Sequence, residues 1–291
     1  MPVITGRCAN KMLLVALPVA RIFAALILQL LRRVRKLLLA AGVLLAAFQV
    51  VLILQANSIQ STNSFAQIGA LIPSFLRDIM GPSFVTLLSF SGMVSFGYFH
   101  PVTIGALVAV SITLATIPVM EMETGFLDLI LARPVARHWI VVRSIAVAAI
   151  AAVFLTGMMA LGTWLGLKIF APKDVVGPSF RMVGSLVLNL GFLMFCWAGI
   201  AMAIGGVCRR RGSAGAIAGL LALIAFLTDY VGRAWKPADS VAWLSPFRYY
   251  APFEVIMGGS LLVRNVFVLG GIAGVAFGVA WVLYSRRDIS K

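Results

Sequence analysis

The feature that most constrains this chain is a succession of apolar runs too long for any soluble core. Leu37–Gln55, Val102–Met120, Met182–Val207 and Val266–Tyr284 contain no charged side chain. A helix needs about 20 apolar residues to cross the roughly 30 Å hydrocarbon layer of a bilayer. Within that layer only helices and closed barrels satisfy their own backbone groups. Trp139–Gly166 and Ala214–Tyr230 complete a set of six runs. Composition agrees, with 62% hydrophobic and 11% charged residues, against about 25% charged in an ordinary soluble domain. The expected fold is therefore all-α: a polytopic membrane protein of six transmembrane helices with no sizeable soluble domain.

The N-terminal region reads differently. In residues 12–31, Arg21 and Gln29 recur at helical spacing with Arg32 and Lys36 just beyond, which fits an amphipathic helix lying in the membrane interface. A spanning or re-entrant helix is the other reading, but it would place the RRVRK cluster outside, against the positive-inside tendency. The expected division is thus 1–36 as N-terminus and interfacial helix, 37–285 as the six-span domain and 286–291 as a tail. Residues 83–99, apolar but broken by Gly and Ser, fit either an outer re-entrant piece or an extension of span two. An outer re-entrant segment is expected at 232–263, between spans five and six.

With both termini placed in the cytosol, the inner side holds twice as many of the 24 Lys and Arg residues as the outer side, as the charge bias of membrane proteins requires. The net charge of +15 then needs no nucleic-acid partner, because anionic lipid headgroups account for it.

Acids, bases, Gly and Pro crowd together at one place, EMETGFLDLILARPVARH, residues 121–138. The stretch falls in the loop after span two. Gly125–Ala132 predicts a helix of about two turns, capped by Thr124 and stopped by Pro134. Asp128 and Arg133 mark its wet side, while Phe126, Leu127, Ile130 and Leu131 supply an apolar one. Such a helix can dock into a groove on another protein. An ordinary inter-helix loop is the plainer reading.

Catalytic chemistry is sparse. His100 and His138 fall near opposite faces, so no Ser/His pair can form, and no His, Cys, Asp or Glu cluster has metal-ligand spacing. Cys8, Cys196 and Cys208 offer no convincing disulfide. The chain has no G-x-x-x-x-G-K-[ST] phosphate loop, so any ATP hydrolysis must come from another subunit. No acid sits in mid-span as an ion-coupled carrier would require. Asn189, Asp229 and Glu254 are the polar residues that could line a path. Gly215 and Gly219 in span five, and Gly270, Gly274 and Gly278 in span six, are expected to bring helix backbones together, within one subunit or between two.

Taken in order, these parts resemble the membrane subunit of bacterial ABC-2 type transporters, whose permease and ATPase are separate polypeptides. The resemblance rests on the amphipathic segment, then Glu121, Glu123, Gly125, Phe126, Leu127, Asp128, Leu129, Ile130, Leu131, Ala132, Arg133, Pro134, Val135, Ala136 and Arg137 after span two. The Arg-rich turn 209–211, LSPFRYY at 244–250 and SRRDI at 285–289 follow. Thr124 and Ile130 depart from the usual pattern. The resemblance implies an N-terminal elbow helix, a coupling helix at 124–133, a second permease subunit as homo- or heterodimer, and a P-loop ATPase that holds ATP and Mg. It also implies that Glu121 and Glu123 meet Arg32, Arg33 or Arg35, and that the protein exports a cargo across the inner membrane by alternating access. A secondary carrier and a non-transporting anchor or assembly subunit are the other classes.

Overall fold

The computed structural model describes residues 5–61, 89–126, 138–172, 177–258 and 261–286, with side chains from Phe23 onward except at 60, 61, 234 and 236. Among the described residues there is no strand, and six helical stretches are long and apolar enough to cross a membrane.

The first helix, α1, runs Thr5–Ser61 without interruption, about 85 Å at 1.5 Å per residue. The interfacial segment and the first span, expected to part at residue 36, are one helix. The reason lies in LLRRVRKLLLAA, which apart from Val34 consists of good helix formers around the expected joint and has neither Gly nor Pro. The expected first span, Leu37–Gln55, lies wholly within this helix.

Span two is assembled from α2 (Phe90–Phe99), α3 (Pro101–Ala115) and α4 (Ile117–Glu123). Ser89 starts it, its hydroxyl accepting the Gly92 N–H at 3.1 Å. At the first joint His100 is extended, with φ −60° and ψ 128°, because the following Pro101 disfavours a helical residue before it. The His100 ring then caps α3, Nδ1 accepting the Val102 N–H at 3.3 Å. A second joint lies at Thr116, where Pro118 withholds the N–H that would reach Leu114. Of the ambiguous stretch 83–99, residues 90–99 are helical and enclosed, Val94 and Tyr98 being fully buried. They extend span two, while 83–88 lie outside the described residues.

The remaining spans are α5 (His138–Phe170), α6 (Phe180–Val207), α7 (Arg211–Ala234) and, at the end of the chain, α10 (Val263–Arg286). The central one is α6. It packs against α3, α5, α7 and α10, and Leu186, Leu190, Leu193, Trp197 and Met202 along it are wholly buried.

Close helix approaches come from glycines that the sequence analysis did not single out. A Cβ on Gly162 would stand 2.5 Å from the Ala46 carbonyl oxygen, and one on Gly166 would stand 2.6 Å from Ile53, so α1 lies tight on α5. Gly199 faces the Ala273 backbone at 3.1 Å and Gly206 faces Leu283 at 2.8 Å, which seats α10 on α6. By contrast, a Cβ on Gly215, Gly219, Gly274 or Gly278 would meet nothing within 4 Å, and one on Gly270 reaches only the Phe192 ring at 3.7 Å. None of these five makes a tight backbone approach within the chain: Gly219 borders an open cleft between α3 and α7, and Gly274 and Gly278 are exposed on α10.

Between α7 and α10 the chain forms α8 (Lys236–Ala242), a short 3₁₀ turn (Pro246–Tyr249) and α9 (Pro252–Gly258). This segment folds back into the bundle. The Ser245 hydroxyl donates to the Ala225 carbonyl at 2.8 Å and accepts the Phe247 N–H at 3.2 Å. Phe247 rests on Trp197 and Phe226, both with ring centres at 5.5 Å. Trp197 lies roughly 15 Å along α6 from Val207 at 1.5 Å per residue, so the segment reaches well inside. The Tyr250 hydroxyl closes the fold by donating to the Tyr98 carbonyl at 2.9 Å.

Candidate coupling site at the end of span two

Four helices meet where α4 ends. Glu121 is 2% exposed, a position a carboxylate rarely occupies without a cation beside it. Its neighbour is Arg143 of α5, whose Nη2 donates to Glu121 Oε2. Arg33 of α1 approaches the other carboxylate oxygen at 3.8 Å and stays half exposed. Glu121 thus holds an inner arginine tightly and an outer one loosely. A buried pair of this kind is held by mutual compensation, since either charge alone would be stranded out of water.

Two residues further, Glu123 Oε2 accepts the backbone N–H of Arg211 at 2.9 Å. Arg211 is the first residue of α7, so a negative charge meets the positive end of a helix. The contact is returned: Arg211 Nη1 lies 3.2 Å from Met120 Sδ, and Nη2 donates to the Thr113 carbonyl at 3.3 Å. Met120 Sδ also lies 3.9 Å from Arg33 Nη2. The last turn of α4 is in this way bound to α1, α5 and α7.

The chain then turns. The Thr124 hydroxyl donates back to the Met120 carbonyl at 2.9 Å, and the Gly125 N–H reaches the Met122 carbonyl at 3.1 Å. Gly125 has φ 70°, a left-handed conformation that suits glycine at a helix C-terminus. Thr124 thereby closes the helix that precedes it, because α4 reaches Glu123 and its last carbonyls need donors; the helix it is expected to cap lies, from Leu127 on, outside the described residues. Phe126 lines the same corner. With Gln29, Leu30, Arg33, Glu121, Thr124, Gly125 and Arg143 it encloses a cleft of about 460 Å³.

The other site residues fall as follows. Leu127, Asp128, Arg133, Pro134 and Arg137 lie outside the described residues, and with them residues 127–133 of the expected coupling helix. Arg32 and Arg35 are exposed and among the described residues have no ion-pair partner; of the three arginines only Arg33 meets an acid. Asn189 is fully buried on α6, its amide without a hydrogen-bond partner among the described residues. Asp229 is engaged elsewhere, pairing with Arg233 at 2.9 Å and facing Arg248 at 4.0 Å, while Arg248 reaches Asp239 at 2.6 Å. Glu254 is exposed in the first turn of α9. Among the described residues no contact joins Asn189, Asp229 and Glu254 into one path.

Sequence reasoning missed Arg143 and Arg211 as partners, having counted both only as charges of the inner side. A signal for Arg143 was present: an ionisable residue inside an otherwise apolar span calls for a buried counter-charge.

Comparison with known proteins adds the family. No curated protein matches the chain. The model of the ABC-2 family transporter proteins matches residues 29–289, a stretch that includes every helix described here apart from the start of α1. The chain belongs to the ABC-2 transporter family, as a multi-pass membrane protein of that family.

Proposed function

We propose that this chain is the permease subunit of an ATP-driven exporter, and that a separate P-loop ATPase drives it from the end of the bundle that carries Glu121. The observation that carries this reading is the binding of one helical turn to three other helices: Met120, Glu121 and Glu123 reach Arg33, Arg143 and Arg211. The loop that begins at Thr124 leaves directly from that turn. A force on 124–133 is therefore passed to spans one, two, three and five together rather than to a single helix.

In this reading both termini and the loop face the cytosol of a bacterial cell, and ATP and Mg are held by the partner. ATPase closure shifts the bundle between inward- and outward-open states through contacts that differ between the two. A second permease subunit completes the passage. The apolar cleft of about 320 Å³ between α3 and α7, lined by Ile104, Val108, Ile112, Leu223 and Phe226, suits a hydrophobic cargo. Asp229 is committed to arginines, which leaves it poorly placed to carry a coupling ion and weighs against a secondary carrier.

The test is to purify the chain gently from its native membrane and identify what accompanies it. Transport and ATP hydrolysis are then measured for Gly125→Pro and Asp128→Arg. The reading expects a stoichiometric P-loop ATPase, with both variants folded in the membrane but hydrolysing ATP without transport. Full transport in both variants, or a chain that purifies alone, sinks it.

A further inference from the structure

Among the described residues, the walls of the cleft beside Glu121 carry an unbalanced charge. Among the described residues that line it, the ionisable groups are Arg33, Arg143 and Glu121, two cations and one anion. Donors are also left over. Arg143 is 2% exposed, and with its Nη2 on Glu121 its Nε has no hydrogen-bond partner among the described residues. A buried guanidinium N–H without an acceptor is costly and rare. Arg33 is half exposed, holds Glu121 only at 3.8 Å and turns Nη2 toward a thioether at 3.9 Å. The amide of Gln29, on the same side of α1 one turn earlier, adds a further donor to the wall.

We infer that this cleft is a binding site for the phosphodiester of an anionic phospholipid. One negative charge brings Arg33, Arg143, Glu121 and the ligand to neutrality. Two guanidinium groups at one cleft match the planar, forked recognition that arginine gives to phosphate oxygens. The ligand is a lipid rather than a soluble phosphate because the neighbouring surface is apolar. Leu28, Leu37 and Leu39 on α1 are exposed, an apolar surface on which the acyl chains of a headgroup held in the cleft would lie. Arg32, Arg35 and Lys36 stand exposed on the same helix and draw anionic lipid to that side.

The experiment uses the full-length protein, with any subunit that stays attached, stripped of lipid in a neutral detergent. It is titrated with phosphatidylglycerol, with phosphatidylcholine and with inorganic phosphate. Bound lipid is read by native mass spectrometry and unfolding temperature by a thermal scan. Phosphatidylglycerol should be retained and raise the unfolding temperature, while the other two should not. Arg33→Gln spares the buried Glu121–Arg143 pair, so the variant folds. It should weaken phosphatidylglycerol binding about tenfold, the loss of one charge-assisted contact. Arg264→Gln, exposed at the start of α10 and not part of the cleft, should bind as the wild type does. Equal retention of the two lipids, or undiminished binding by Arg33→Gln, overturns the inference. So does displacement of phosphatidylglycerol by inorganic phosphate, which would make the site one for a soluble anion. The readout is binding, so the outcome stands whether or not an ATPase docks at the neighbouring loop.

Discussion

Glu123 Oε2 and the backbone nitrogen of Arg211, 2.9 Å apart, join the end of one span to the beginning of another. The carboxylate does for α7 what an N-cap side chain does from within its own helix. Replacing Glu123 by Ala should fray the first turn of α7 and cost on the order of 0.5–1 kcal/mol. Gln, which keeps an acceptor and loses the charge, should cost less. Amide hydrogen exchange of residues 211–214 checks this, since faster exchange confined to that turn is the expected sign.

Glu121 and Arg143 should behave as a unit. Glu121→Leu leaves Arg143 buried and unpaired, Arg143→Leu does the reverse, and each should cost about 3–5 kcal/mol. The double replacement should recover most of that loss. A double-mutant cycle on thermal unfolding in detergent measures the coupling; additive losses would mean that the two side chains are not paired in the folded protein.

Glycine substitutions should sort by contact rather than by motif. Gly162→Leu drives a side chain into the Ala46 backbone and should separate α1 from α5, lowering stability by about 2–3 kcal/mol or more. Gly274→Ala, with open space around it, should leave unfolding of the single chain within about 0.5 kcal/mol of wild type. Parallel thermal scans of the two variants decide the point.

Gly125→Ala should cost about 1 kcal/mol, because an alanine is strained at φ 70°. Gly125→Asn, which tolerates the left-handed region, should cost less. The order Gly, Asn, Ala in unfolding temperature is the expected result.

Tyr250→Phe removes the hydroxyl that donates to the Tyr98 carbonyl and should lower stability by about 1–2 kcal/mol. Limited proteolysis of 235–258 should quicken in step if that bond holds the segment in the bundle.

The spans were legible because lipid is a simple solvent: length and hydropathy alone place α5, α6, α7 and α10 to within a few residues. The joints of span two were half legible. Pro101 and Pro118 are visible in sequence, but the enclosure of Tyr98 and Val94 between α1 and α6 depends on partners that hydropathy does not encode. The same limit explains the glycines. Gly162 and Gly166 stand four residues apart, as Gly215 and Gly219 do, and only the facing residues, Ala46 and Ile53, distinguish the pair that makes contact from the pair that does not. At the site the acids were found by their crowding and Arg33 by its cluster. Arg143 and Arg211 escaped because an arginine at the end of an apolar run reads first as a topological marker, and whether it turns inward is settled by the neighbouring helix.

One consequence of α1 concerns torsion. Its length carries Arg33 at one level and Ala46 and Ile53 at others, with no proline or glycine pair between to act as a swivel. A shaft of that kind turns as a whole. Any rotation that lifts Arg33 from Glu121 also moves Ala46 and Ile53 against the notches left by Gly162 and Gly166, so the grip at the charged end and the grip deep in the bundle cannot be set independently.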